Sequence, residues 1–385
     1  MFNNYKFKEQ FAGLETPFYY YNLELLEDTL DKAKAAADKR GFHIHYALKA
    51  NFNDRILSII QNKGFGADCV SGNEVQKSID LGFDANKITF AGVGKSDKEI
   101  ITALKHNIFA FNVESIQELE VINELAEKIG VQANVSLRIN PNVDAHTHHY
   151  ITTGLDENKF GVPNSELEKA ASVIKSCKQI NLVGLHFHVG SQITDMTVFK
   201  NLCLKVNEWK NWFEERGTYI KIINVGGGLG VDYKAPDSNP MPDFEAYFEV
   251  FDKFLERNAQ QEVHFELGRA LVAQCGTLIS KVLYTKSGAK KNFLILDAGM
   301  TELMRPALYQ AYHKIEKVGA HDDTAMLNYD VVGPICESSD SFGKEVLLPI
   351  SHRGDIIAIR TAGAYGEVMA SKYNLREEIR HVYSS

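Results

Sequence analysis

An α/β chain, with a (β/α)8 TIM barrel joined to an all-β domain, is the fold this sequence predicts, and three observations predict it. Between about residues 24 and 265, short apolar runs alternate with helical stretches roughly eight times, the size and rhythm of a TIM barrel. Polar groups recur at the C-terminal ends of those runs, where a barrel collects its working residues at one mouth. After Arg269 the helical period gives way to strands and tight turns.

Residues 24–40 read as a helix leading into the run His43-Ile44-His45-Tyr46-Ala47-Leu48-Lys49. Asn53 is placed to cap a helix that reaches Asn62, and Gly64 to end it, because glycine adopts the left-handed C-terminal conformation cheaply. Strand-like runs follow at 66–70, 87–91, 108–113, 133–139, 181–188, 221–225 and 262–266. Helical stretches lie between them, among them 115–129, 165–177, 196–216 and 243–258. No G-x-G-x-x-G follows the first strand, which argues against a doubly wound sheet. Beyond residue 269, the segments 276–286, 292–296, 329–332, 345–350 and 355–360 read as strands, and Phe18-Tyr19-Tyr20-Tyr21 as a strand lent to them. The expected domains are 24–269 for the barrel, and 1–23 with 270–385 for the β domain, the substrate and dimer-interface side.

The chain has 385 residues, 44% hydrophobic and 24% charged, an ordinary balance for a soluble globular protein. A net charge of -8 and the lack of a basic run give no field for nucleic acid or an anionic membrane. Residues 1–8 lack an apolar signal core, and nowhere do about eighteen apolar residues run together; the expected location is cytoplasmic. Cys69, Cys177, Cys203, Cys275 and Cys336 are odd in number and scattered, which argues against a disulfide framework or a zinc knuckle.

The run ends carry Lys49, Asp68, Asn112, Arg138, His188, Gly226 to Gly228 and Glu266. A lysine ending a buried strand is held where its amine is desolvated, as a Schiff-base lysine requires. Three glycines let backbone N–H groups approach a phosphate. Glu266 offers a carboxylate to a pyridine nitrogen. One cofactor needs all three: pyridoxal phosphate. His146, His148 and His149, with His186 and His188, could also be read as zinc ligands of a barrel hydrolase. That reading gives no role to Lys49 or the glycines, so no metal is expected.

Six segments then carry a resemblance: Tyr46-Ala47-Leu48-Lys49-Ala50-Asn51, His186-Phe187-His188-Val189-Gly190-Ser191-Gln192-Ile193, Gly226-Gly227-Gly228-Leu229-Gly230, Glu266-Leu267-Gly268-Arg269, Arg305-Pro306-Ala307-Leu308-Tyr309 and Gly333-Pro334-Ile335-Cys336-Glu337-Ser338. In that order, they resemble the diaminopimelate decarboxylases, fold-type III, alanine-racemase-like pyridoxal-phosphate enzymes, over essentially the whole chain. The resemblance implies decarboxylation of meso-2,6-diaminopimelate to L-lysine and carbon dioxide, the last step of lysine biosynthesis. It implies Lys49, His188, Glu266 and Cys336 as catalytic residues. Asp68, Arg138, Ser191, Gly226, Gly227, Gly228, Gly268, Arg269 and Tyr365 join Lys49, His188 and Glu266 around the cofactor. Arg269, Arg305, Tyr309, Glu337 and Tyr365 fall to the substrate, two arginines suiting a distal carboxylate. It further implies a homodimer whose active sites are shared, Cys336 and Glu337 coming from the partner. Leu267 departs from the family's usual proline and removes a fixed backbone angle. The competing readings are a decarboxylase of ornithine, lysine or arginine, and a non-catalytic pyridoxal-phosphate carrier.

Overall fold

The computed structural model describes residues 5–143, 159–320 and 325–384. It divides into two compact units, one of residues 30–230 and 243–268, the other of 1–29, 231–242 and 269–385. His146, His148 and His149 lie outside the described residues.

Strand β1, Phe18–Tyr21, belongs to the second unit. The first unit is built on β2 (Phe42–Ala47), β3 (Gly66–Cys69), β4 (Ile88–Phe90), β5 (Ala110–Val113), β6 (Ala133–Arg138), β7 (Ile180–His186), β8 (Ile222–Asn224) and β9 (Glu262–Leu267). These eight form a closed barrel of parallel pairs, and β9 returns to β2 with His43 opposite His264 and His45 opposite Glu266. Helices fill the crossovers, as parallel neighbours require. Their starts are set by short polar side chains that accept orphan backbone N–H groups. Asn53 accepts from Arg55 N, Ser71 from Glu74 N and Ser115 from Glu118 N. Gly64 ends its helix at φ +80°, as its sequence position predicts.

One departure concerns Lys49. It does not end the strand: β2 stops at Ala47, and Lys49 sits in a 3-10 turn, Leu48–Ala50. The side chain is half-buried, 41% exposed, because the turn lifts it beyond the strand end.

The second unit holds an eight-stranded mixed sheet. Its strands are β1, β10 (Gly276–Ser287), β11 (Asn292–Leu296), β12 (Ile315–Lys317), β13 (Met326–Val332), β14 (Ser341–Pro349), β15 (Ile356–Ile359) and β16 (Arg380–Tyr383). The order β12-β15-β10-β11-β13-β14 leaves β10 paired also with β1, so the N-terminal strand is lent to this sheet as expected. Phe11, Phe18, Tyr20, Ile279, Val318 and Ala358 form a core cluster here. The unit is mostly sheet, as expected. Helices Tyr5–Phe11, Arg269–Val272 and Arg305–Tyr309 belong to the unit, and β12 and β16 lie where no strand is expected. A five-residue helix gives no readable 3.6 period, and β16 is four residues long with two basic ones.

Candidate active site

Glu266 is the second-last residue of β9 and 7% exposed. Strand alternation puts it on the same face as His264, and its partners come from three other strands, so that face lines the barrel interior. Oε1 accepts from Asn112 Nδ2 of β5 at 2.7 Å and from Asn224 Nδ2 of β8 at 2.7 Å. Oε2 takes one bond, from His186 Nε2 of β7 at 2.9 Å. Burial opposes ionisation, but His186, then Lys49 and His188, outweigh it and hold the carboxyl far below its usual value. Three donors on one carboxylate have that effect.

Asp68 on β3 is the opposite case. Both its oxygens are buried without a hydrogen-bond partner, and Lys49 Nζ stands 3.8 Å from Oδ2. Burial first, then the nearby Glu266 charge, push its carboxyl well above the usual range, against the pull of Lys49. The two interior carboxyls are thus pushed in opposite directions, Glu266 down and Asp68 up. Asn112 Oδ1 and His186 Nδ1 are likewise buried without partners.

The glycine triplet follows β8. A Cβ at Gly226 would meet Phe187 O at 2.3 Å, and one at Gly227 would meet Glu266 O at 2.0 Å, so side chains are excluded by the barrel's own backbone. Gly226 N–H donates to Asn224 Oδ1 at 2.9 Å and Gly227 N–H to His188 Nδ1 at 3.3 Å. Two of the three glycine amides thus have acceptors within the chain. Accepting at Nδ1 leaves His188 its proton on Nε2, and burial, then the Arg138 and Lys49 charges, keep the ring neutral by lowering its pKa well below the usual value. Ile193 N–H donates to Gly228 O at 2.9 Å and Gly230 N–H to Ile193 O at 2.9 Å, which ties the Ser191 loop to the triplet. A Cβ at Gly268 would come within 2.9 Å of Ala50 Cβ, beside the Lys49 turn.

Arg138, the last residue of β6, donates from Nη1 to Glu114 Oε1 at 2.7 Å, and Glu114 Oε2 accepts from Gly161 N at 2.8 Å. Burial would raise the Glu114 pKa, but the Arg138 and Lys95 charges prevail and lower it. Glu114, Asn224 and His186 escaped assignment as site residues. For Asn224, the signal was its place at a run end two residues before the triplet.

In the second unit, Arg269 and Arg305, each 6% exposed, donate to one phenol: Nη1 of each reaches Tyr233 Oη, at 2.6 and 2.8 Å. Arg305 Nη1 also lies 3.1 Å from His313 Nε2, and His313 Nδ1 lies 2.8 Å from Arg360 O. The carbonyl only accepts, so His313 donates from Nδ1 and accepts at Nε2. The Arg269 guanidinium stacks over the half-buried Tyr365 ring at 4.8 Å. Tyr309 ends the short helix begun by Arg305. Cys336 and Glu337 lie on an exposed loop between β13 and β14, where Cys336 N donates to Asn374 Oδ1 at 3.0 Å. Cys336 is thus not the buried, inert thiol that an isolated cysteine suggests. Tyr233 and His313 were missed; no local pattern marks either.

The barrel residues fit pyridoxal phosphate. Glu266 Oε2 accepts a single bond where a carboxylate oxygen can accept two, Asp68 lacks a donor, and the triplet has no room for side chains.

The sequence profile of the family described as "Pyridoxal-dependent decarboxylase, pyridoxal binding domain" matches residues 24–273. A diaminopimelate decarboxylase of Bacteroides thetaiotaomicron is 55% identical over 370 residues, 96% of this chain and 95% of that protein. One from Helicobacter pylori strain J99 is 42% identical over 98% of this chain and 92% of its own length. The crystal structure of diaminopimelate decarboxylase from Helicobacter pylori complexed with L-lysine superposes with a TM-score of 0.92 at 40% identity, covering 98% of this chain and 94% of that one. A Chlorella virus arginine decarboxylase, 21% identical with a TM-score of 0.88, shares the fold. With a barrel whose interior fits the cofactor, and with that identity across nearly its full length, the chain belongs to the diaminopimelate decarboxylase family of pyridoxal-phosphate-dependent enzymes.

Proposed function

We propose that this enzyme decarboxylates meso-2,6-diaminopimelate to L-lysine and carbon dioxide, the last step of lysine biosynthesis. The observation that carries the reading is Glu266, ionised and held by three donors in the barrel interior. Bound pyridoxal phosphate supplies an electron sink for the pair left by departing carbon dioxide, and a carboxylate at its ring nitrogen keeps that nitrogen protonated. The identity with named decarboxylases supports the substrate.

Lys49 holds the cofactor through its amine and carries a proton at Nζ once substrate has taken its place. Asp68, its carboxyl pushed up by burial, stands 3.8 Å from Lys49 Nζ, and the neutral His188 adds no charge that would compete with Glu266. Gly226, Gly227 and Gly228 with Ser191 and Gly268 contact the phosphate, and Arg138, Arg269 and Tyr365 complete the cofactor contacts. Arg269 and Arg305 recognise substrate carboxylates, with Tyr309, Tyr365 and Glu337 as further substrate contacts. A distal carboxylate is what ornithine, lysine and arginine lack. Residues 24–269 are assigned as the cofactor domain, and 1–23 with 270–385 as the substrate and dimer side. The working form is a cytoplasmic homodimer in which Cys336 and Glu337 complete the partner's site, Cys336 near the face from which carbon dioxide leaves. Among the described residues no helix is long and apolar enough to cross a membrane.

The test is carbon dioxide release from meso-, LL- and DD-diaminopimelate, lysine, ornithine and arginine by the purified, cofactor-loaded enzyme. Turnover of the meso isomer alone, or far above the rest, is expected. Faster release from ornithine or arginine would overturn the substrate, and none from any would overturn the activity.

A further inference from the structure

The N-terminal end of the barrel holds a second polar cluster, on the same inward face as Glu266, that the decarboxylation does not use. His43 and His264 stand opposite one another on β2 and β9, with ring centroids 4.7 Å apart. Glu262, two residues before His264, shares its face of the strand. One donor atom from each of His43, Glu262 and His264 lies within 4.8 Å of the others. A cavity of about 240 Å³ adjoins them, lined also by Lys34, Phe65, Lys87 and Phe109.

The hydrogen bonds decide where the lone pairs are. Lys87 O can only accept, so His45 Nδ1, 2.9 Å away, donates to it. In a neutral imidazole the other nitrogen is then an acceptor, and His264 Nδ1, 2.8 Å from His45 Nε2, must be the donor. A singly protonated His264 therefore has a bare Nε2, which faces Glu262 Oε2 at 3.3 Å. Two acceptors at that distance need a cation to share. Lys221 Nζ lies on the other carboxylate oxygen, 3.2 Å from Oε1. A proton on Nε2 would satisfy the pair but would leave the adjacent His43 without a role and place a charge on a ring stacked on that of His43.

We propose that His43, Glu262 and His264 bind a divalent transition-metal ion, with a two-nitrogen, one-oxygen donor set suited to Zn²⁺ and a water from the cavity as fourth ligand. The imidazole donors select a late first-row ion over magnesium or calcium. His45 and the Lys87 carbonyl are its outer support, fixing the His264 tautomer as carbonyl and carboxylate partners do around metal-bound histidines. Tetrahedral zinc with bonds of 2.0–2.1 Å spaces its donors about 3.3 Å apart. His264 and Glu262 already meet that spacing, and the exposed His43 is the member that must close in.

The experiment is calorimetric titration of chelator-treated holoenzyme with ZnCl2, with Co²⁺ as a spectroscopic probe. One Zn²⁺ per chain at micromolar affinity is expected, with visible ligand-field bands for Co²⁺. His43→Ala and Glu262→Gln should each weaken Zn²⁺ at least about tenfold and abolish the Co²⁺ bands. Cys336→Ser, which removes the exposed thiol, should change neither. Circular dichroism identifies the folded variants, and either one that folds decides the matter. Zn²⁺ affinity within about twofold of the parent in a folded variant, no binding below millimolar Zn²⁺, or binding lost in Cys336→Ser would overturn the site.

Discussion

Asn112 and Asn224, from strands on different sides of the barrel, both donate to Glu266 Oε1, while His186 alone serves Oε2. The carboxylate is therefore clamped at one oxygen and open to one further donor at the other.

That asymmetry predicts the outcome of Glu266→Gln. The amide keeps the shape but cannot accept at both ends, so one of its contacts becomes donor against donor, and the ring nitrogen loses its anionic partner. Turnover should fall on the order of a hundredfold, the scale of a lost charge-assisted hydrogen bond, while cofactor absorbance shows retention. Turnover within a few-fold of the parent would make Glu266 a scaffold residue.

Lys49→Ala should abolish turnover and the covalent attachment of the cofactor, with the fold kept because the triplet is held by Asn224 and His188 rather than by Lys49. Borohydride reduction followed by peptide mapping reads the attachment. A label on any other lysine would remove the assignment.

Most of the barrel was legible because seven of its eight strand runs end at or beside a residue that a structural sheet would not need. Lys49, Asp68 and Glu266 were visible that way, although no local pattern separates a strand end from the 3-10 turn that carries Lys49. Partners were harder to read than positions. Asn112, His186 and Asn224 meet Glu266 across 154, 80 and 42 residues of chain, and only barrel closure brings them together. The pairing of Tyr233 with Arg269 and Arg305 depends in the same way on a contact spanning 72 residues in the latter case. The intrachain acceptors of the glycine amides are hidden for a different reason: composition shows that backbone can approach closely, not which acceptor it reaches first.

Tyr233 accepts from two guanidiniums, so Tyr233→Phe removes a neutral oxygen that both share. KM for diaminopimelate should rise about tenfold with kcat within about twofold, because an orienting contact is lost and no proton-transfer group is. A fall in kcat at constant KM would place the hydroxyl in the chemistry instead.

His313 predicts a pH dependence of stability. Burial, then the Arg305 charge, push it down to about 3 in the folded chain, against about 6.5 unfolded. Between those values the unfolded chain binds a proton that the folded chain does not. Stability therefore falls as pH drops below about 6.5 and levels off near 3. His313→Asn keeps a donor for Arg360 O and an acceptor for Arg305 but does not titrate. From pH 7 to 5, urea unfolding of this variant should lose about 2 kcal/mol less than the parent. Equal losses would mean that His313 is protonated in the folded chain.

The shared active site is tested by complementation. Cys336 and Glu337 lie on an exposed loop, where a second subunit can reach them, whereas Lys49 belongs to the barrel unit. In a two-fold dimer each site then takes Lys49 from one chain and Glu337 from the other. Lys49→Ala and Glu337→Ala homodimers are each inactive or strongly impaired, because every site carries a lesion. After verified subunit exchange about half of the dimers are hybrids, and in each hybrid one site carries both lesions and the other neither. Activity should recover to about a quarter of the native value from that random pairing. If exchange restores nothing, each site is completed within its own chain, and Cys336 and Glu337 do not serve the partner.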